Sequence, residues 1–161
     1  MPLDAAGGRE YYASRLVSNS KQHRKRCVLT LARVAEVLEA RAVVAAPSPD
    51  PEVTGCFAAD LMSDVLAFAR PEEVLLTGLA TDQAIRTAAV RHLQAVFVVE
   101  DKEISAEMVE AARDEGIPLF RTVLSTYEAC GRLMQAGLPP SRHDRPSACA
   151  KPVASDSPPS L

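Results

Sequence analysis

The chain has no tryptophan, and aromatic residues make up only 4% of its 161 residues. This shortage argues against a surface on which nucleic acid bases stack on aromatic side chains. No run approaches the roughly 18 consecutive apolar residues of a membrane-spanning helix. The first residues also lack the basic and then apolar segments of a signal peptide. We therefore expect a cytoplasmic protein without a membrane partner.

The motifs of common catalytic sites are missing as well. The sequence contains no GxxxxGK[ST] phosphate loop, no GxGxxG after a strand, no HExxH and no GxSxG. Of the three histidines, His23 and His143 fall near the two ends of the chain, and nothing places His92 beside a nucleophile. We therefore expect no catalytic residue and no enzyme activity.

The four cysteines do not form a recognisable ligand or disulfide pattern. They stand at positions 27, 56, 130 and 149, without a CxxC pair or a nearby histidine set. Zinc and iron–sulfur sites need such spacings, and disulfide frameworks are rare in the cytoplasm. We expect Cys56 and Cys130 to be small core residues. The sequence predicts no metal and no cofactor.

Charge and proline content divide the chain into three parts. Residues 1–28 carry six Lys or Arg against two acids, whereas residues 29–138 carry nine against seventeen. An acidic central part argues against tracking a nucleic acid backbone, which requires positive surface. We interpret residues 1–28 as a basic, partly disordered leader. Residues 139–161 hold six of the twelve prolines and are expected to be a disordered tail.

The central part alternates between strand and helix patterns. Short apolar runs predict strands at 42–46, 52–59, 73–78, 95–99 and 117–121. Apolar residues spaced three and four apart predict helices at 29–40, 60–69, 82–93, 106–115 and 126–136. This alternation predicts an α/β fold of three layers, Rossmann-like, with a largely parallel sheet flanked by helices.

Several residues suit the ends of these helices. The expected N-caps are Asp60, Thr81, Ser105 and Ser125, the last in a Ser-x-x-Glu capping box. Gly116 and Gly137 each follow the last residues of a predicted helix, where a left-handed conformation is common.

Ligands of parallel α/β sheets bind beyond the carboxyl ends of the strands. The segments at those positions are 77–83, 100–103 and 121–126. The candidate ligand-binding residues from them are Thr77, Gly78, Thr81, Asp82, Gln83, Thr122 and Ser125. Free N–H groups at helix N-termini suit an anion, although the hydroxyls there also serve as simple caps. Asp60 and Asp64 could hold a cation, but interaction with the helix dipole explains them more simply.

A set of residues and motifs recurs in a characteristic order over residues 29–138. It consists of Asp50, Val53, Thr54, Gly55, Asp60, Leu61, Ser63 and Asp64, followed by "TDQAI" and "DEGIP…TVLSTYEACGRL". This order resembles a DRTGG domain, a family named for an Asp-Arg-Thr-Gly-Gly signature. Pro51 stands in place of the signature Arg and Cys56 in place of the second Gly. Asp82 and Ala84 occupy positions where many members have His and Asn.

The resemblance implies the fold of the N-terminal domain of HPr kinase/phosphorylase, which also occurs in regulated pyrophosphatases beside CBS domains. It implies a non-catalytic regulatory module, often a homodimer, and adds Thr54, Gly55, Asp60, Ser63 and Asp64 to the candidate ligand-binding residues. The first hypothesis is a regulatory protein that binds a small anionic ligand, such as a nucleotide. The alternative is an adaptor that docks on a kinase or on a redox enzyme of the hydrogenase type through its leader or tail.

Overall fold

The computed structural model describes residues 28–46 and 48–141. The expected leader and tail lie outside these residues except for Val28 and positions 139–141, so their disorder stays a prediction. The strands are β1 (Leu29–Thr30), β2 (Arg41–Val44), β3 (Glu52–Val53), β4 (Gly55–Ala58), β5 (Glu73–Thr77), β6 (Ala95–Val98) and β7 (Leu119–Arg121). The helices are α1 (Leu31–Val37), α2 (Met62–Phe68), α3 (Asp82–Val90), α4 (Ala106–Asp114) and α5 (Thr126–Gln135).

Five strands form one sheet in the order β2-β7-β6-β5-β4. Strands β4 to β7 are parallel, and β2 is an antiparallel edge strand beside β7. The predicted α/β fold with a largely parallel sheet is therefore confirmed. The first predicted helix is shorter than expected, because Leu29 and Thr30 pair with β3 in a separate two-stranded sheet.

Helices cover both faces of the sheet, which explains why its central strands are apolar throughout. Leu75 and Val96 pack with residues of α2, α3 and α4 on one face. Their neighbours Leu76 and Phe97 pack with α1 and α5 on the other face. Successive side chains of a strand point to opposite sides, so both faces of β5 and β6 must be apolar to be buried.

The expected helix ends are partly confirmed. Ser105 Oγ accepts from the Met108 N–H at 3.2 Å, and Ser125 Oγ accepts from the Glu128 N–H at 3.3 Å. Gly116 and Gly137 have positive φ angles of 67° and 95°. Thr81 occupies the N-cap position of α3 but its hydroxyl makes no cap hydrogen bond.

The expected N-cap role of Asp60 is wrong. The N-cap residue of α2 is Leu61, and no side chain caps this helix. The carboxylate of Asp60 accepts hydrogen bonds from residues at the end of β5 instead. Within the described residues, no helix has the length and apolar character needed to cross a membrane.

Candidate functional site

The carboxyl ends of β4 and β5 meet in a hydrogen-bonded cluster. Asp60, which follows β4, accepts from the Thr77 hydroxyl at 2.9 Å and from the Gly78 N–H at 2.6 Å. The Thr77 oxygen in turn accepts from the Leu79 N–H at 3.0 Å. Thr77 is fully buried, so its hydroxyl depends on these protein partners. The structure thus joins Asp60 to Thr77 and Gly78, two candidate residues from a different segment of the chain.

Lys102 lies directly above Gly78. A Cβ added to Gly78 would be 2.6 Å from Lys102 Nζ and 3.5 Å from both carboxylate oxygens of Asp60. An ammonium and a carboxylate therefore border the same small space, which exists because residue 78 has no side chain. Lys102 is not among the candidate residues expected from the sequence, although it is the only cation in the segment 100–103.

An unusual turn after β6 carries Lys102 to this position. Glu100 and Asp101 have φ angles of 61° and 50°, a left-handed conformation uncommon for residues other than glycine. Their N–H groups donate to Leu124 O at 2.8 Å and to Thr122 O at 2.9 Å. Arg121 Nε also lies 2.9 Å from Asp101 Oδ1. These contacts with the last residue of β7 and with the segment after it hold the turn in its strained form.

The N-termini of α3 and α4 lie beside this cluster. Asp82 Oδ2 accepts from Arg86 Nε at 3.1 Å, and Thr81 and Gln83 are exposed. Hydrogen bonds from its own N–H and from Ser105 lower the pKa of Glu107, while the negative charge of Asp82 opposes this shift. Two helix N-termini therefore each carry a carboxylate, which complements the positive end of the helix dipole.

This end of the sheet is acidic. Its carboxylates belong to Asp60, Asp64, Asp82, Glu100, Asp101, Glu103 and Glu107. Arg86 Nε lies 3.1 Å from an oxygen of Asp82, and Arg121 Nε lies 2.9 Å from an oxygen of Asp101. Lys102 Nζ is farther from its nearest carboxylate, at 3.5 Å from Glu100. An anionic ligand at this end would therefore need Lys102.

Two candidate residues lie at the opposite end of the sheet. Gly55 is the first residue of β4, and Thr54 precedes it. The Thr54 hydroxyl donates to Glu72 O at 3.3 Å. A Cβ added to Gly55 would meet Glu73 Oε1 at 3.2 Å. Asp50 caps α1 by accepting from the Ala32 N–H at 3.0 Å. These signature positions therefore hold the fold together here and are not joined to the Asp60 cluster.

The remaining candidates are not joined to the Asp60 cluster by any bond described for them. Ser63 is exposed on α2, and Asp64 lies in the first turn of the same helix. Thr122 is buried and donates to Leu38 O at 2.6 Å. Ser125 serves as the N-cap of α5. Thr122 and Ser125 thus have structural partners.

A separate apolar cavity lies between β4 and α5. Its volume is about 180 Å³, and it is lined by Cys56, Phe57, Ala58, Cys130, Leu133, Met134, Leu138, Pro139, Pro140 and Ser141. The chain after α5 runs beside β4, where Pro139 O accepts from the Cys56 N–H at 3.1 Å. Cys56 and Cys130 are half-buried, so they line a cavity at the margin of the core rather than its centre.

Both thiols at this cavity are held in the neutral form. Burial raises the pKa of Cys56, and Cys130 and Glu73 raise it further. Burial also raises the pKa of Cys130. Because the thiolate is the reactive and metal-binding form, these two cysteines behave as apolar groups. No group of three or more His, Cys, Asp or Glu within residues 28–46 and 48–141 is placed to bind a metal.

Comparison with known proteins supports the fold. No family model matches the sequence, and no curated protein matches it. The chain is similar to a crystal structure of the CBS and DRTGG domains from the regulatory region of Clostridium perfringens pyrophosphatase, complexed with the activator diadenosine tetraphosphate. The TM-score is 0.57 and the identity 16%, over 66% of this chain. The match spans about half of that chain, 46% of its length. The chain therefore has a DRTGG-like fold.

Proposed function

We propose that residues 29–138 form a regulatory domain of the DRTGG family that binds a small anionic ligand, such as a nucleotide. The site lies at the carboxyl ends of β4, β5 and β6, around Gly78 and Lys102. The fold supports this proposal, since the similar pyrophosphatase region is regulatory and was crystallised with a nucleotide activator.

The position of Lys102 above Gly78 is the observation that carries the proposal. Its side chain is 42% exposed, and its ammonium lies 3.5 Å from the Glu100 carboxylate, a loose pairing. Exposed ion pairs of this kind are weak, so a phosphate oxygen can replace the carboxylate of Glu100 at little cost. The first N–H groups of α3 have no partner within the helix, and the exposed Thr81 hydroxyl is not used as a cap. Both can donate to the same anion.

Asp60 gives the site its selectivity. Its carboxylate already accepts the Thr77 hydroxyl and the Gly78 N–H, so an anionic ligand binds on the side of Lys102 and does not reach these donors. The negative charge of Asp60 also repels the ligand. This arrangement favours a ligand whose anionic group is met by Lys102 and whose neutral part lies near the carboxylates, which can accept hydrogen bonds from hydroxyls such as those of a ribose.

A ligand panel with a charge-matched control tests the proposal. The full chain is mixed with nucleoside mono-, di- and triphosphates and dinucleoside polyphosphates, and thermal stability and binding heat are measured. We expect at least one compound to raise Tm and its affinity to fall about tenfold or more in Lys102→Gln, because a hydrogen bond to a charged group is lost. Arg113→Gln removes the same charge from the last turn of α4 and should leave the affinity unchanged.

Two results would contradict this function. The first is no change in Tm with any of these compounds at millimolar concentration. The second is an equal loss of affinity in Lys102→Gln and Arg113→Gln, which would show that only overall charge matters.

The remaining expectations stay predictions. The adaptor alternative depends on the leader and the tail, which lie almost entirely outside the described residues. Pull-down with chains lacking 1–28 and 139–161 tests it, and an undiminished partner would contradict it. The cytoplasmic location, the homodimer and the lack of enzyme activity are likewise untested.

A further inference from the structure

Strand β4 is the outer strand of the five-stranded sheet, and the chain after α5 begins to pair with its outer side. Pro139 O accepts from the Cys56 N–H at 3.1 Å, and the Ser141 N–H donates to Cys56 O at 2.8 Å. These two bonds form a parallel bridge between Cys56 and Pro140. At Ser141, where the described residues end, the chain therefore runs beside β4 and in the same direction.

Ala58 is the next residue of β4 whose backbone groups point to the outer side. On the inner side the following residue, Ala59, donates its N–H to Leu76 O at 3.1 Å. Because the bonding groups of a strand alternate between its two sides, those of Ala58 point outward like those of Cys56. Ala58 is also exposed. An outer strand with N–H and C=O groups directed away from the sheet is a place where a further strand can add.

The sequence around and after Ser141 fits this position. In the register set by the bridge, the odd-numbered residues from 141 to 145 direct their N–H groups toward β4, and the even-numbered residues direct theirs away. Pro140 and Pro146 both stand at even positions, and no proline lies between them. Proline has no N–H and is tolerated in an outer strand only where no bond to the neighbouring strand is made. The proline-free run 141–145, in a part of the chain rich in proline, is therefore what a short added strand requires.

The charges of this run complement those at the end of the sheet toward which it leads. A strand advances about 3.3 Å per residue, so in the same register Arg145 lies about 10 Å beyond the level of Ala58. Asp60 and Asp64 follow β4 in that region, at the acidic end of the sheet. The run therefore brings Arg142 and Arg145 toward carboxylates of opposite charge.

The apolar cavity between β4 and α5 borders the same path, since Ala58 and Ser141 both line it. Side chains of paired residues share one face of a sheet, and Cys56 packs on the face that α5 covers. Residue 142, opposite Ala58, is directed to that face as well. The methylene groups of Arg142 can then cover the apolar lining while its charge stays in water. Ser141 Oγ is buried without a hydrogen-bond partner among the described residues, and the next residues of the chain are placed to supply one.

We propose that residues 142–145 continue the pairing as a sixth strand of the sheet, parallel to β4. The Ala58 N–H donates to Ser141 O, and the His143 N–H donates to Ala58 O. The chain's own tail is the occupant of this side of β4, because it is already bonded to Cys56 and is therefore present at a high effective concentration. The disorder expected for the tail is then confined to the residues after Arg145. The proposal does not involve Lys102 and is independent of the ligand site.

Amide hydrogen exchange of the full chain, resolved by NMR, tests the pairing with two matched proline variants. We expect the Ala58 N–H to be protected in the parent chain and to exchange about five- to tenfold faster in His143→Pro, which lacks the N–H that bonds to Ala58 O. Asp144→Pro places proline where the N–H points away from β4 and should leave the exchange of Ala58 unchanged. The Ala59 N–H, bonded to Leu76 O, should stay protected in all three proteins and shows that the sheet is intact. An unprotected Ala58 in the parent, or equal exchange in the two variants, would overturn the proposal.

Two further measurements distinguish the tail from other occupants of β4. Arg145→Gln should speed the exchange of Ala58 about two- to fivefold at low salt, the range of an exposed ion pair, whereas Lys151→Gln, beyond Pro146, should not change it. Equal effects of these two variants would contradict the approach of Arg145 to the acidic end. The protection of Ala58 should also be independent of protein concentration. Protection that is lost on dilution would indicate a second copy on β4 and would overturn the proposal.

Discussion

Thr77 donates its hydroxyl proton to the carboxylate of Asp60 at 2.9 Å, although 17 positions separate the two residues in the chain. The bond joins the carboxyl ends of neighbouring strands β4 and β5. The same carboxylate oxygen accepts the Gly78 N–H, so a single aspartate fixes the turn over which Lys102 lies.

Two replacements of Asp60 should separate its contribution to folding stability from its effect on ligand affinity. Asp60→Ala leaves the buried Thr77 hydroxyl and the Gly78 N–H without their acceptor, so we expect the free energy of unfolding to fall by about 2 kcal/mol. Asp60→Asn keeps an oxygen acceptor, so the free energy of unfolding should fall by less than half of that amount. The affinity for an anionic ligand should rise in the same variant, because a negative charge is removed. Urea unfolding and calorimetry measure the two effects.

Asp64→Ala is the control for that experiment, since Asp64 lies in the first turn of α2 and is not among the partners of Thr77 and Gly78. Its removal should cost a few tenths of a kcal/mol through the helix dipole. A loss in Asp60→Ala no larger than in Asp64→Ala would show that the Thr77 bond does not hold the turn.

Gly78→Ala should impair the ligand site with little effect on stability. The added methyl group would meet Lys102 Nζ at 2.6 Å, and the end of this flexible side chain can move away. We expect the free energy of unfolding to change by less than about 1 kcal/mol, because no backbone has to shift. The ligand affinity should fall about as much as in Lys102→Gln. An unchanged affinity would show that Lys102 does not contact the ligand.

Gly131→Ala should stabilise the folded chain. The added methyl group meets no neighbour among the described residues, and alanine favours a helix over glycine by roughly 0.5–1 kcal/mol. Urea unfolding should therefore show a free energy of unfolding that is higher by about that amount. An unchanged or lower free energy of unfolding would contradict this expectation.

Cys56 should make stability sensitive to alkaline pH. Its pKa is raised by burial above the ordinary value of 9.0, so the unfolded chain loses this proton at a lower pH than the folded chain. The contribution of the neutral Cys56 thiol to the free energy of unfolding is then fully present below about pH 9 and is lost as the pH rises above that value. We expect the free energy of unfolding to fall between pH 8 and pH 10, and to fall less in Cys56→Ala.

Alkylation provides an independent check on the same thiol. Iodoacetamide at pH 8 should label Cys56 in the native protein far more slowly than in urea, because the thiolate is the nucleophile. Fast labelling of native Cys56, located by peptide mass spectrometry, would contradict a raised pKa.

Local patterns in the sequence determined the class of the fold. The continuous apolar runs of β5 and β6 identify strands covered on both faces, because no other environment buries every side chain of a strand. Ser105, Ser125 and Gly116 were assigned to helix ends correctly, since capping depends on atoms within a few residues. The candidate segments after β5 and β6 followed from the same reasoning.

Only the tertiary structure decided how distant residues meet. The sequence pattern assigns Asp60 to the start of its own helix and does not single out Lys102 within the segment 100–103, because each of them contacts residues at the end of a different strand. It grouped Thr54 with Asp60, but in the structure Thr54 precedes β4 and Asp60 follows it, so the two residues lie at opposite ends of that strand. It also could not place β2 antiparallel beside β7. Such relations depend on the order, direction and register of strands, and these are set by packing between segments that are far apart in the chain.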